Sequence, residues 1–311
     1  MKVIDEYKST RQQLFDAEGI QPQSIMVATN GPIKNVHYLK LGKGEPLILI
    51  HGGGSHSSEW INILKPLSEY FQLYVVDRPG CGLSDTISYH GLDFRKSVVD
   101  FVRSFLEAVG LERAMFLGQS MGGYFSICFA LQYPGRVKKL ALIGAPAGMN
   151  HWIPMPLRLL GLKGVNSLLM HTVAKPSIKN VANLHRQILV ADVTKLSDTY
   201  LRHTYYHQCI SANAHSFLSL LENVLTIKGW RKALYIGDQL DRLKMPVGFI
   251  WGNQDAFEKP KTGLKKAAAI QDYTFKVVQN AGHCPWLDQP EICTQHIITM
   301  FNQKENGRII S

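Results

Sequence analysis

Residues Gly118-Gln119-Ser120-Met121-Gly122 set a serine between two glycines, after the apolar run Ala114-Met115-Phe116-Leu117 and ahead of the apolar stretch 123–131. The run reads as a buried strand and the stretch as a buried helix. A strand entering a helix through Gly-x-Ser-x-Gly makes a sharp turn with the serine hydroxyl at its tip. The turn is tight enough that side chains at 118 and 122 would meet neighbouring backbone, so glycine fits both places. The chemistry this implies is nucleophilic attack on a carbonyl carbon. A serine hydroxyl is a poor nucleophile alone and needs a histidine base oriented by a carboxylate.

Two downstream segments offer those partners. The strand-like run Val247-Gly248-Phe249-Ile250 leads into Trp251-Gly252-Asn253-Gln254-Asp255, a turn ending in an acid. The run Phe275-Lys276-Val277-Val278 leads into Gln279-Asn280-Ala281-Gly282-His283. Ser120, Asp255 and His283 therefore follow strand ends in the order serine, acid, histidine. Asp238 and Asp241 compete for the role of acid, but they precede the strand on a helix-like segment, and no acid follows the strand ending at Gly144.

A fourth element is His51-Gly52-Gly53-Gly54, directly after Leu47-Ile48-Leu49-Ile50. Acyl transfer places negative charge on the carbonyl oxygen, and each backbone N–H aimed at it lowers the barrier by about 3 kcal/mol. One donor is expected at Met121 and the second near Gly53, with Gly54 equally placed by sequence. His51 reads as structural, bonding the loops beneath the site. Gly54, Trp152 and Trp286 are the candidate substrate-binding residues.

These residues need a scaffold. β-type runs at Ser24–Ala28, Val36–Leu41, Pro46–Ile50, Gln72–Asp77, Ala114–Gly118 and Val137–Gly144 alternate with a helix over Phe94–Val109. Such alternation predicts an α/β fold, a mostly parallel sheet covered by helices on both faces. From about 147 to 226 no strand is evident, and Leu157–Met170 and Ser216–Leu225 read as helices. The rhythm resumes at Pro246–Trp251 and Thr274–Val278 and closes with a helix over Pro290–Phe301. The expected organisation is a core of residues 1–146 and 227–311, with a helical cap, 147–226, inserted after the sixth strand. It would cover the carboxyl edge where open sheets bind ligands. The tail Gln303–Ser311 is expected to fray.

Composition narrows the setting. The 311 residues are 45% hydrophobic and 19% charged, ordinary for a globular protein. Net charge is +10, with 15 basic and 13 acidic residues over 1–146, 7 and 3 over 147–226, and 12 and 8 over 227–311. The one tight grouping, Lys259, Lys261, Lys265 and Lys266, reads as a solvated helix face, so no nucleic-acid partner is expected. Five scattered cysteines without ligand spacing suggest free thiols, and no metal or cofactor is called for. Met1–Lys8 lacks a secretory apolar region and no stretch matches a membrane span, so the expected setting is cytoplasmic, as monomer or homodimer. The apolar entry Trp152, Ile153, Met155, Leu157, Leu159 and Leu160 reads as packing or pocket lining rather than lipid contact.

Taken together, His51-Gly-Gly-Gly with Trp60 nine residues on, Asp77-Arg-Pro-Gly-Cys-Gly-Leu-Ser84, the Ser120 turn, the Trp-Gly-Asn-Gln-Asp255 turn and Gly282-His283-Cys-Pro-Trp resemble the α/β-hydrolase superfamily over about 24–146 and 235–302. Relatives that open epoxides or displace halide carry an aspartate at the elbow, so Ser120 implies an acyl-enzyme instead. The first expectation is a serine hydrolase cleaving a carboxylic ester of a small or medium, mostly apolar molecule. The alternative is carbon–carbon bond hydrolysis of the meta-cleavage-product type, which the Gly-rich loop and Ser-Met-Gly-Gly elbow also resemble. Those enzymes usually carry tryptophan directly after the catalytic histidine, whereas Cys284 and Pro285 intervene here. A non-catalytic small-molecule receptor on the same fold is a further reading, against which the full triad argues.

Overall fold

Strand β3 (Glu45–Ile50) shows why the sheet is central. Leu47 and Leu49 enter one apolar cluster and Ile48 and Ile50 another, so both faces of the strand are covered. The computed structural model describes residues 2–172 and 175–302, and the tail expected to fray lies outside them. The other strands are β1 (Gln23–Ala28), β2 (Asn35–Leu41), β4 (Phe71–Val76), β5 (Ala114–Gln119), β6 (Val137–Ile143), β7 (Leu225–Thr226), β8 (Gly229–Trp230), β9 (Val247–Gly252) and β10 (Tyr273–Val278).

Eight strands form one sheet in the order β1-β2-β4-β3-β5-β6-β9-β10. The β1/β2 and β2/β4 pairings are antiparallel and the rest parallel, as the alternation predicts. Register brings the loops to one edge: Ile50 lies opposite Gly118, Gly118 opposite Leu142, Ile143 opposite Ile250, and Gly252 opposite Val278.

One face is covered by α3 (Phe94–Ala108) and α4 (Met121–Gln132), whose Phe101, Phe105, Phe125 and Phe129 are buried against Phe116, Leu142 and Phe249. Each such ring contributes about 1.5–3 kcal/mol of burial. The opposite face carries α2 (Ile61–Ser68) and α12 (Pro290–Asn302), through Ile63, Leu67, Ile297 and Phe301. Helix α10 (Pro260–Ala267) lies between β9 and β10, and the single-turn α11 (Pro285–Asp288) follows the loop after β10.

Between β6 and β9 the chain is mostly helical: α5 (Met155–Leu160), α6 (Val165–His171), α7 (Ile178–Leu184), a π turn at His185–Leu189, α8 (Asp198–Cys209) and α9 (Ser211–Val224). Two local expectations are corrected. Leu157–Met170 is not one helix, because the chain breaks at Gly161–Gly164, where Gly164 takes φ 87°. The segment also ends in a short strand pair, β7 with β8, closed by a tight turn at Ile227–Lys228. The N-terminal helix α1 (Val3–Glu18) was not foreseen; its Tyr7, Thr10, Arg11, Leu14 and Phe15 recur at helical spacing and are buried. No helix among the described residues is long and apolar enough to cross a membrane.

Candidate active site

Ser120 sits between β5 and α4 with φ 49° and ψ −111°, a conformation L residues rarely adopt. Holding it costs about 1–3 kcal/mol, which the surrounding close packing must impose. A Cβ at Gly122 would overlap the carbonyl oxygen of Ile50, and one at Gly118 would lie 2.8 Å from the carbonyl oxygen of Gly122. Gly122 is thus required by the close approach of α4 to β3, and Gly118 by that of α4 to β5.

His283 and Asp255 meet as the chain order suggested. Nδ1 of His283 lies 2.9 Å and 3.1 Å from the two carboxylate oxygens of Asp255. The backbone N–H of Ala145 donates to Oδ2 at 2.9 Å and that of Phe257 to Oδ1 at 2.8 Å. A carboxylate only accepts, so Nδ1 carries the proton and Nε2 the lone pair. Nε2 is buried and has no hydrogen-bond partner, while the Phe257 ring packs against the imidazole at 4.1 Å between centroids, tilted by 32°. His283 and Ser120 line the same cavity. Asp238 and Asp241 lie instead on a 3-10 turn, Gly237–Arg242, before β9.

The cavity has a volume of about 540 Å³ and lies between the loops at the sheet edge and the helices that follow β6. Gly53, Gly54 and Met121 line it beside Ser120. Met121 opens α4, where the first N–H groups have no helical acceptor and point at any bound anion. Gly53 and Gly54 both face Phe217 of α9, and the geometry leaves the choice of second donor between them. His51 is fully buried. Its Nε2 accepts the N–H of Arg78, and burial followed by the Arg78 charge pushes its pKa well down, which fits a structural role. Beneath it Asp77 accepts from Ser57 N and Leu83 N and pairs with His37 at 2.6 Å. Burial alone would raise that carboxyl, but His37 and the amides hold it below the usual carboxylate range.

The candidate substrate residues divide. Trp152 lines the cavity and is half exposed, and Ile153, Leu157 and Leu160 line it too. Met155 points to solvent instead. Trp286 is placed differently from the expectation: it is fully buried, stacks on Trp60 at 4.5 Å and donates Nε1–H to the carbonyl of Glu59. The α11 turn that begins at Pro285 directs it into the core, away from the cavity.

Sequence reasoning missed Glu59. It lies on the turn Ser57–Trp60 after the glycine loop, lines the cavity and is buried. The thiol of Cys284 donates to its Oε1 at 3.5 Å, and Ser55 Oγ contacts its Oε2. Burial pushes its carboxyl up to about 7, with the Cys284 bond and the Arg78 charge opposing. Burial also shifts other ionisable groups of the lining toward their neutral forms: His207 is lowered to about 4, His56 and His185 are lowered, and Tyr200 and Cys284 are raised. No lysine or arginine is among the described lining residues.

Also unforeseen was Asp288. Its carboxylate accepts from Ala191 N, Asp192 N and Gly282 N, tying the chain after the π turn to the loop that carries His283.

The family described as the alpha/beta hydrolase fold matches residues 45–290. The chain belongs to that family. A 2-hydroxy-6-oxononadienedioate/2-hydroxy-6-oxononatrienedioate hydrolase of Paraburkholderia phymatum is 30% identical over 297 residues, 92% of this chain and 97% of that one. Among solved structures, a carboxylesterase, CesB, from Bacillus subtilis superposes with a TM-score of 0.77 at 20% identity, covering 97% and 99% of the two chains. A meta-cleavage product hydrolase, CumD, from Pseudomonas fluorescens superposes at 0.72 with 23% identity over 90% and 97%. The two superpositions speak to the fold alone. The curated relative speaks for the carbon–carbon alternative rather than the ester expectation.

Proposed function

We propose that this α/β hydrolase cleaves a bond to a carbonyl carbon through an acyl-enzyme on Ser120, and that the bond is carbon–carbon, next to a ketone. The observation behind the first part is the His283–Asp255 pair, with a buried, partnerless Nε2 on a histidine that lines the same cavity as Ser120. The second part rests on the near full-length similarity to a 6-oxo-dienedioate hydrolase.

His283 Nε2 takes the Ser120 proton as Oγ bonds to the carbonyl carbon. The amide of Met121, with that of Gly53 or Gly54, holds the resulting oxyanion. Collapse breaks the carbon–carbon bond, and its electron pair passes into a second carbonyl of the substrate conjugated to the far carbon, giving an enolate that takes the proton from His283. Water, deprotonated by the same imidazole, then hydrolyses the ester on Ser120 and frees the acid. Asp255 fixes the tautomer and stabilises the imidazolium. The helical segment 147–226 acts as a cap that excludes bulk water and shapes the pocket.

Ester cleavage is the second reading. It is favoured by the lining, which gives no cation to a carboxylate such as those of a dienedioate. A direct comparison separates the two. Purified protein is offered a 6-oxo-hexa-2,4-dienoate, an uncharged diketone and a graded series of p-nitrophenyl esters, and the released acids are identified by mass. Ser120-dependent fission of either ketone supports the carbon–carbon reading. Ester cleavage with both ketones intact would replace it with the second.

A further inference from the structure

The cavity joins two features that bear on the charge of what it accepts. It has one carboxyl side chain, Glu59, and no lysine or arginine among its described lining residues. Glu59 is 4% exposed and stands beside the glycine loop, where the reacting carbonyl must sit. From these we propose that Glu59 is a specificity-determining residue that excludes anionic substrates, so that the natural substrate is an uncharged carbonyl compound. The proposal rests on the Ser120 reading and deepens it, whichever bond is broken.

A carboxylate entering this space loses its water and gains no counter-ion, and burying an unpaired charge costs several kcal/mol. Ionised Glu59 adds like-charge repulsion, which a low-dielectric cavity enlarges. Of the charged and titratable groups around Glu59, Arg78 alone is a cation, and it offsets this only in part. Cys284 bonds to it as a neutral thiol, and Cys81 and Tyr200 are kept neutral by burial. The nearby Arg78 guanidinium is committed to the carbonyls of His51 and Gly52 beneath the loop and does not line the cavity. The substrate class thereby departs from the dienedioates named for the Paraburkholderia phymatum relative, which carry two acids.

Glu59 titrates within reach of experiment, its carboxyl lying at about 7 and its lining position giving it access to the ligand. At pH 8 it is mostly ionised and at pH 6 mostly protonated, while an alkyl carboxylate on a ligand free in solution is ionised at both. Two phosphonofluoridate probes serve, one with a plain alkyl chain and one with the same chain ending in a carboxylate. Labelling of Ser120 is followed by intact mass, and the ratio of the two second-order rates cancels any common change in the triad. The expected ratio favours the neutral probe about a hundredfold in wild type at pH 8. It falls about tenfold in Glu59→Gln, and in wild type at pH 6, with no further fall for the variant at pH 6. A wild-type ratio within twofold of unity, or a ratio that Glu59→Gln leaves unchanged at pH 8, overturns the proposal. Failure of the neutral probe to label wild type overturns the Ser120 reading instead, so the two failures are distinguishable.

Discussion

Replacing Asp255 by asparagine exchanges one carboxylate oxygen for an NH₂ group and tests how the imidazole is set. In the native arrangement three N–H donors converge on two carboxylate oxygens: His283 Nδ1 at 2.9 and 3.1 Å, Ala145 N at 2.9 Å and Phe257 N at 2.8 Å. Asparagine keeps one accepting oxygen, so its NH₂ must face Ala145 N–H or Phe257 N–H. That leaves one buried amide unpaired and costs about 1–3 kcal/mol of stability. The same NH₂ drives His283 to the other tautomer, with a lone pair on Nδ1 and a proton on Nε2. A protonated Nε2 cannot accept the Ser120 proton. The expected loss in kcat is about 10⁴-fold, the size produced by an orienting acid that is lost with the geometry kept. It corresponds to about 5.5 kcal/mol of barrier. Stopped-flow acylation by a chromogenic ester, with circular dichroism to check the fold, reads both quantities. A loss below tenfold in a folded variant would refute the assignment, as would an equal loss in Asp238→Asn or Asp241→Asn.

Other consequences are simpler to measure. Gly122→Ala puts a Cβ into the Ile50 carbonyl and should cost about 2–3 kcal/mol in urea unfolding while abolishing turnover; a neutral effect contradicts the elbow packing. Trp286→Ala removes a fully buried ring stacked on Trp60 and should cost about 3–5 kcal/mol, whereas half-exposed Trp152→Ala should leave stability unchanged and alter KM. The opposite pattern would put Trp286 back in the pocket. His56, His203 and His207 pack together under Tyr7, and burial lowers His203 to about 3 and His207 to about 4. The unfolded chain takes up these protons first, near its ordinary histidine value, so stability is full above about pH 6.5 and declines as pH falls toward 4, by up to about 3 kcal/mol for His207 alone. His207→Gln should flatten that slope between pH 6.5 and 4, and an unchanged slope would show that His207 does not contribute.

Much of the scaffold was legible because the signals are local. Runs such as Leu47–Ile50 and Val247–Ile250 are apolar on both faces, which only a covered parallel strand allows. The positions of Ser120, Asp255 and His283 followed from strand ends, since register places those ends side by side. What stayed hidden depends on contacts distant in the chain. Glu59 owes its environment to Cys284, which lies 225 residues away, and no local pattern marks a buried acid. Trp286 was misplaced because nearness to His283 in sequence says nothing of the turn at Pro285 that rotates it inward. Helix α1 carried a readable spacing, Tyr7, Thr10, Arg11, Leu14 and Phe15, but its polar members masked the stripe; Thr10 is buried because its hydroxyl bonds His203 on α8.

The central claim is that Ser120 is the nucleophile, and one measurement tests it most directly. Wild type and Ser120→Ala are exposed to a neutral alkyl fluorophosphonate, and the modified peptide is located by mass spectrometry. The account predicts one stoichiometric adduct, on Ser120, and none on the folded variant. An adduct of equal yield on Ser120→Ala, or a wild type that stays unmodified, would contradict it.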